Sequence, residues 1–98
     1  MPVCKNIRVK GFIQRVSYRT HTKRIADNLG VNGWVRNLAN GDVEACLEGD
    51  ESAVDALLAW CAFGPKLGRV DEVLVTNDNY RGTFTEFSII TSNQGGED

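Results

Sequence analysis

A chain of 98 residues, 42% of them hydrophobic and 24% charged, is long enough for one globular domain with a modest core. Its net charge of −2 argues against a dedicated nucleic-acid-binding protein, which normally presents a basic face. No apolar run is long enough to span a membrane, and basic residues interrupt the N-terminal stretch where a signal peptide would be apolar. We therefore expect a cytoplasmic protein with neither a nucleic-acid nor a membrane partner.

The first predicted elements are a strand and a helix joined by a loop. Valine and isoleucine alternate with more polar residues over residues 3–9, which predicts a strand. A loop entered at Gly11 follows, and apolar residues at helical spacing predict a helix over Tyr18–Leu29. A helix N-terminus presents unpaired N–H groups and the positive end of its dipole. Because Arg19 lies in the first turn, where its guanidinium can bind two oxygens of a phosphate, the segment predicts an anion site.

Basic residues are concentrated in the first 36 positions, and acidic residues dominate the remainder. This pattern is either an ordinary solvated charge distribution or a local positive field that attracts a small anion, and the sequence leaves both open.

Two further strands form a predicted hairpin. Gly30 is suited to end the first helix, and residues 34–38 predict a second strand. Asn40-Gly41 favours a tight turn, after which alternation over residues 43–47 predicts the partner strand.

A second helix is predicted to begin after Asp50, which we expect to be its N-cap, and to end at Gly64-Pro65. Residues 92–98 are polar and glycine-rich, and we expect them to form a mobile C-terminal tail. Between this helix and the tail, the sequence predicts a strand over residues 70–76, a polar loop over residues 77–82 and a strand over residues 84–91.

The predicted order, β-α-β-β-α-β with one more strand, indicates an α+β ferredoxin-like sandwich. Such a fold has an antiparallel sheet with two helices on one face, here with an added C-terminal strand. We expect residues 1–91 to form this single domain. An RNA-binding domain of the same order would need exposed aromatic residues on its middle strands. The outward positions of the first and third strands are instead charged, polar or cysteine, so we reject that function.

The three cysteines fall in different environments. Cys4 and Cys46 are opposite in parity to the apolar residues of their strands, so we expect both on the open face of the sheet. Because this fold places the first and third strands side by side, a disulfide is possible if the two Cα atoms lie within ~7 Å. A cytoplasmic location would tend to keep these thiols reduced. Cys61 lies on the apolar stripe of the second helix and is predicted to be buried and unpaired.

Two motifs in this order of elements resemble those of the acylphosphatase family. The first has the general form Gly-x-Val-Gln-Gly-Val-x-Phe-Arg and corresponds to residues 11–19, Gly-Phe-Ile-Gln-Arg-Val-Ser-Tyr-Arg. The second is a Gly-Trp/Tyr-Val-x-Asn strand followed by Gly-x-Val-Glu/Gln, and corresponds to residues 33–37 and 41–44. The resemblance covers about residues 3–91.

This resemblance implies hydrolysis of acyl phosphates, the mixed anhydrides of a carboxylic acid and phosphate, with neither a metal ion nor another cofactor. It implies that Arg19 holds the phosphoryl group and that Asn37 orients the attacking water. The implied partner is a small-molecule acyl phosphate, with inorganic phosphate or sulfate as a ligand of the same site, and we expect a monomer. The implied substrate-binding loop consists of Gly11, Phe12, Ile13, Gln14, Arg15, Val16, Ser17 and Tyr18.

Two loop positions depart from the family pattern. Arg15 stands where the family has glycine, and Phe12 stands where the family often has a basic residue. If the loop requires a positive φ at position 15, arginine costs ~1 kcal/mol or more there. We expect an intact anion site whose turnover is slower than it would be with glycine at this position.

The remaining polar residues near the motif have simpler explanations. Ser17 is predicted to cap the helix with its side chain, and Gln14 is expected to shape the loop. His21 lies two residues after Arg19, hence on another helix face, and is expected to be exposed and non-catalytic. No Cys/His cluster has the spacing of a metal site. The alternative function is a non-catalytic anion- or ligand-binding regulatory module on the same fold, which turnover of an acyl phosphate would exclude.

Overall fold

The computed structural model describes residues 1–14 and 17–91. Arg15, Val16 and the predicted tail at residues 92–98 lie outside the described residues. No helix in the described ranges is long and apolar enough to cross a membrane. The elements are β1 (Pro2–Phe12), α1 (Tyr18–Leu29), β2 (Asn32–Asn37), β3 (Val43–Asp50), α2 (Glu51–Phe63), β4 (Arg69–Asp78) and β5 (Phe87–Ile89).

The strands form one sheet in the order β4-β1-β3-β2-β5. The pairs β1–β3, β1–β4 and β2–β3 are antiparallel, which confirms the predicted ferredoxin-like arrangement. The added strand β5 pairs parallel with β2, so the complete sheet is mixed. Because β4 and β5 lie at opposite edges, residues 79–86 must cross the sheet between them. We call residues 79–86 the crossing segment.

The observed bounds differ from the predicted ones where strand pairing decides them. β1 and β4 both extend beyond their predicted ends, because they pair with each other along most of their length. β5 is confined to Phe87–Ile89, rather than residues 84–91, because the residues before it belong to the crossing segment.

Both helices pack on one face of the sheet, as predicted. The alternating residues of β1 and β3 that face the helices are buried against them. Complete burial of a valine, leucine or isoleucine side chain contributes about 1.5–3 kcal/mol to folding stability. The Tyr18 hydroxyl donates a 2.7 Å hydrogen bond to the Cys61 carbonyl, which joins α1 to α2. The fully buried side chains of this core include Val9, Leu47, Val54, Leu57 and Cys61.

The opposite face is not open where the cysteines lie. Cys4 and Cys46 are on that face, as expected, but they are only 3% and 6% exposed. We infer that the crossing segment covers them, because it is bonded to Glu48 on the same face. Glu48, also buried on this face, holds the segment in place. Its carboxylate accepts the N–H of Arg81 at 3.0 Å and the N–H of Gly82 at 3.3 Å.

Cys4 and Cys46 are close but not bonded. Cys4 pairs with Glu48 and Cys46 pairs with Asn6, so the two cysteines are diagonal rather than directly opposite. Their Sγ atoms lie 3.7 Å apart, well beyond the ~2.05 Å of a disulfide. All three cysteines are free thiols, and Cys61 is buried and unpaired as predicted.

Folding stability should fall at alkaline pH because of Cys61. Burial raises the pKa of this thiol from 9.0 to about 11. The unfolded chain therefore loses a proton near pH 9 that the folded chain retains, so this contribution to stability is complete below pH 9 and is lost as pH rises to 11. Between pH 8 and 10.5 we expect a loss of about 2 kcal/mol from this residue, because the slope of ~1.4 kcal/mol per pH unit applies only above pH 9.

Urea unfolding with reductant at the two pH values measures the effect. Cys61→Ala is the control, because it removes the ionising thiol but leaves Cys46 and Tyr18, whose pKa values burial also raises. The same decline in the variant and the wild type would contradict the assignment to Cys61.

Candidate active site

Strand register brings the two sequence motifs to one edge of the sheet. Val43, at the start of β3, pairs with Val9 on one side and with Asn37 on the other. The loop that follows β1 and the C-terminal end of β2 therefore emerge together. Helix α1 follows this loop directly, so its N-terminus lies at the same edge. Arg19, the second residue of α1, therefore lies at this edge as well.

Asn37 is the last residue of β2 and lies on its buried, helix-facing side. The burial of β2 alternates strictly, and Asn37 is 5% exposed. Its side-chain Oδ1 is buried and has no hydrogen-bond partner among the described residues. Leaving a buried acceptor unsatisfied costs about 1–3 kcal/mol, so most such atoms are paired. An unpaired acceptor at this edge is suited to a hydrogen bond from a ligand or a water molecule.

The start of α1 has an unusual backbone. Ser17 occupies the N-cap position but has the left-handed angles φ 59° and ψ 32°, whereas a capping residue is normally extended. Its side chain consequently makes no capping hydrogen bond, so the predicted side-chain cap is wrong. The Ser17 carbonyl accepts the N–H of His21 at 3.0 Å, which is the ordinary first hydrogen bond of the helix. Left-handed serine is uncommon and such backbone strain is concentrated at functional sites.

Asp50 likewise occupies the N-cap position of α2 without making a side-chain capping bond. It precedes α2 with an extended backbone, but its carboxylate makes no capping bond and accepts the Ser52 hydroxyl at 2.7 Å instead.

The first glycine of each motif is required by a neighbouring strand. A Cβ at Gly11, where φ is +149°, would meet the Arg69 carbonyl oxygen at 2.0 Å. A Cβ at Gly33, where φ is +136°, would meet the Cys46 carbonyl oxygen at 1.9 Å. Both contacts are with backbone and cannot be relieved by rotating a side chain. These glycines therefore let β4 and β3 approach closely and fix the strands that carry the site.

Gln14 forms hydrogen bonds that connect the β1–α1 loop to the β2–β3 hairpin, which carries Asn37. Its Nε2 donates to the Leu38 carbonyl and to the Asp42 carbonyl, both at 2.8 Å. This agrees with the predicted loop-shaping role. Sequence reasoning assigned no role to Asp42, whose carbonyl contributes through the backbone and therefore gives no residue-type signal.

The other loop residues differ in where their side chains point. Ile13 and Tyr18 are each 1% exposed and belong to the core, whereas Phe12 is 54% exposed. Any contact that Ile13 and Tyr18 make with a ligand would therefore come from the backbone. A recess of about 180 Å³ is lined by Gly11, Phe12, Ile13, Gln14 and Gly41.

His21 is half-buried rather than exposed. Its ring centroid lies 6.2 Å from that of Trp60, because both side chains lie where α1 meets α2. Its Nδ1 lies 2.6 Å from the Arg24 guanidinium. Within residues 1–14 and 17–91, no group of three or more His, Cys, Asp or Glu residues could hold a metal ion.

The family model, the most similar relatives and the structures with the highest TM-scores are all acylphosphatases. The family model described as Acylphosphatase matches residues 5–89. An acylphosphatase of Geobacter sulfurreducens is 52% identical over 83 residues, covering 85% of this chain and 91% of that protein. The structure of an acylphosphatase from Coxiella burnetii gives a TM-score of 0.86 at 28% identity, covering 91% of this chain and 93% of that one. The acylphosphatase from Bacillus subtilis gives 0.86 at 30% identity, covering 90% and 98%. None of these similarities favours the alternative regulatory module.

Proposed function

The chain belongs to the acylphosphatase family, and on that premise we propose that its acyl phosphate substrate binds at the edge where the β1–α1 loop meets Asn37. The reaction yields a carboxylate and inorganic phosphate. The Arg19 guanidinium binds the phosphoryl oxygens, and the backbone N–H groups of residues 11–18 complete an anion-binding loop. Asn37 accepts a hydrogen bond from the attacking water and holds it in line with phosphorus.

The observation that carries this assignment is the buried Oδ1 of Asn37, which has no partner in the described part of the chain. An amide oxygen is a poor base but a good acceptor, so it can orient a water molecule without removing its proton. We propose that the water held there lies opposite the carboxylate leaving group, with the phosphoryl group between them.

The chemistry makes modest demands on the protein. The carboxylate leaving group is a weak base, so its departure needs little acid catalysis. Phosphoryl transfer depends mainly on positioning and on stabilising charge on the phosphoryl oxygens, which an arginine and aligned N–H groups provide. We propose that a phosphate oxygen of the substrate takes the proton of the water, so the reaction requires neither a general base nor a metal ion.

The expected result is that this protein hydrolyses benzoyl phosphate equally well with and without excess chelator. Glycerol phosphate should be hydrolysed at least ~10³-fold more slowly, because its alkoxide leaving group requires protonation. Release of inorganic phosphate from both substrates measures this. Complete loss of activity in chelator would contradict the proposal, because a metal ion would then supply the electrophile.

Three further properties belong to the same proposal. Inorganic phosphate and sulfate should occupy the phosphoryl site and inhibit competitively, since both match the substrate in charge and shape. Each molecule carries its own loop, Arg19 and Asn37, so one molecule is sufficient for activity, and we propose that the protein is a monomer. We place it in the cytoplasm, where its cysteines would remain reduced.

A further inference from the structure

We propose that Gln14 is a positioning residue that sets the distance between the phosphate-binding loop and the water-binding Asn37. This inference rests on the proposed function. It adds a residue that acts through the geometry of the site rather than by touching the reacting atoms.

The contact of Gln14 with the hairpin uses the two N–H donors of its amide group. A side-chain amide has two N–H donors, and here they reach two different carbonyl oxygens, of Leu38 and Asp42, at 2.8 Å each. The two acceptors lie on opposite sides of the β2–β3 turn. A single half-buried side chain therefore spans the turn and fixes both of its arms to the loop.

We call the two hydrogen bonds from Gln14 the clamp. The clamp acts on the residue next to Asn37. Leu38 follows Asn37 directly, so the Cα atoms of the two residues are only about 3.8 Å apart. The clamp therefore limits movement of the Asn37 amide relative to the loop. Lys10 makes a second contact with the hairpin, because its Nζ lies 3.4 Å from the Asp42 carboxylate. This ion pair is partly exposed and is therefore weaker than the hydrogen bonds of Gln14.

The hairpin does not need Gln14 to satisfy its own backbone. The Asp42 carbonyl also accepts the Leu38 N–H at 2.8 Å, and the Leu38 carbonyl also accepts the Gly41 N–H at 3.2 Å. If Gln14 is removed, both carbonyls retain a partner. We therefore expect the fold to tolerate the loss, whereas the spacing between water and phosphorus would not, since a displacement of about 1 Å can reduce turnover ~10²-fold.

The test compares Gln14→Met, which keeps the length but has no donor, with wild type on benzoyl phosphate. We expect kcat to fall ~10- to 100-fold, while the inhibition constant of inorganic phosphate stays within about threefold, because the loop itself still binds the anion. Gln14→Leu, which is uncharged, similar in volume and also lacks both donors, should show the same division. In an Asn37→Ala background the Gln14→Met change should have little further effect, because the two residues act on the same step.

Asn32→Ala is the matched control. Asn32 is half-buried, lies at the other end of β2, and its Nδ2 also donates to a main-chain carbonyl, that of Phe84 at 3.2 Å. Its loss should lower the melting temperature about as much as Gln14→Met does and leave kcat unchanged.

Four outcomes would overturn the inference. They are a kcat for Gln14→Met within twofold of wild type, a parallel loss of turnover and phosphate affinity, a full effect in the Asn37→Ala background, or loss of the folded state in both Gln14 variants. Failure of the proposed function itself is distinguishable, because the wild type would then not hydrolyse benzoyl phosphate. That result would remove both proposals together.

Discussion

Replacing Arg19 with alanine is expected to lower kcat/KM for benzoyl phosphate by at least ~10³-fold, with KM raised and kcat lowered together. The guanidinium forms charge-assisted hydrogen bonds with the bound phosphoryl oxygens, so its loss weakens substrate binding. The same bonds strengthen as charge shifts in the transition state, so the rate falls as well. Initial rates across substrate concentrations, together with the inhibition constant of inorganic phosphate, separate the two effects.

Two variants define the role of Arg19 further. Arg19→Lys keeps the charge but not the planar two-pronged geometry, and should recover only part of the lost activity. Arg24→Ala is the matched control, because Arg24 lies on the same helix, more than one turn further along, and is exposed. If Arg24→Ala reduced activity as much as Arg19→Ala, the effect would come from the general positive charge of the helix and not from a specific phosphoryl contact.

Replacing Asn37 with alanine is expected to lower kcat ~10²-fold and to leave the inhibition constant of inorganic phosphate within about threefold. The amide contacts the attacking water rather than the phosphoryl group, so its loss affects the reaction step and not anion binding. The Oδ1 atom has no partner in the described residues, so its removal breaks none of the described hydrogen bonds. Activity and phosphate inhibition measured on the same preparation test the prediction, and a kcat near that of wild type would show that Asn37 does not position the water.

Much of the fold could be predicted because its elements follow simple periodicities. Val43, Ala45 and Leu47 alternate with polar residues, and this pattern alone determines which side of β3 faces the helices. The alternation of apolar and polar residues cannot show what covers the side of β3 that faces away from the helices. Cys4 and Cys46 are buried because the crossing segment passes over them, and its attachment to Glu48 depends on backbone N–H groups more than 30 residues away.

Local signals failed where the chain adopts an uncommon backbone conformation. A serine before a helix is typical of a side-chain cap, but Ser17 has a left-handed backbone and its side chain makes no capping hydrogen bond. The end of the helix was easier to predict, because Gly30 in the left-handed region is the usual way to terminate one.

The candidate site, like the fold, could be predicted only in part from the sequence. The motifs identified Arg19 and Asn37 as candidates because their chemistry is visible in the residue types. The clamp by Gln14 was not predictable in detail, since its acceptors are main-chain oxygens 24 and 28 residues away, which any residue could supply. Only the register of β1, β3 and β2 brings them within reach.

The roles of Arg19, Asn37 and the loop are tested most directly by hydrolysis of benzoyl phosphate in ¹⁸O-labelled water with excess chelator. If Arg19 and the loop hold the phosphoryl group while Asn37 aligns the water, attack occurs at phosphorus and the label appears in inorganic phosphate. We expect metal-independent turnover with the label in inorganic phosphate. Label in benzoate would place the attack at the carbonyl carbon and contradict the assigned roles, and a rate no higher than spontaneous hydrolysis would contradict the function itself.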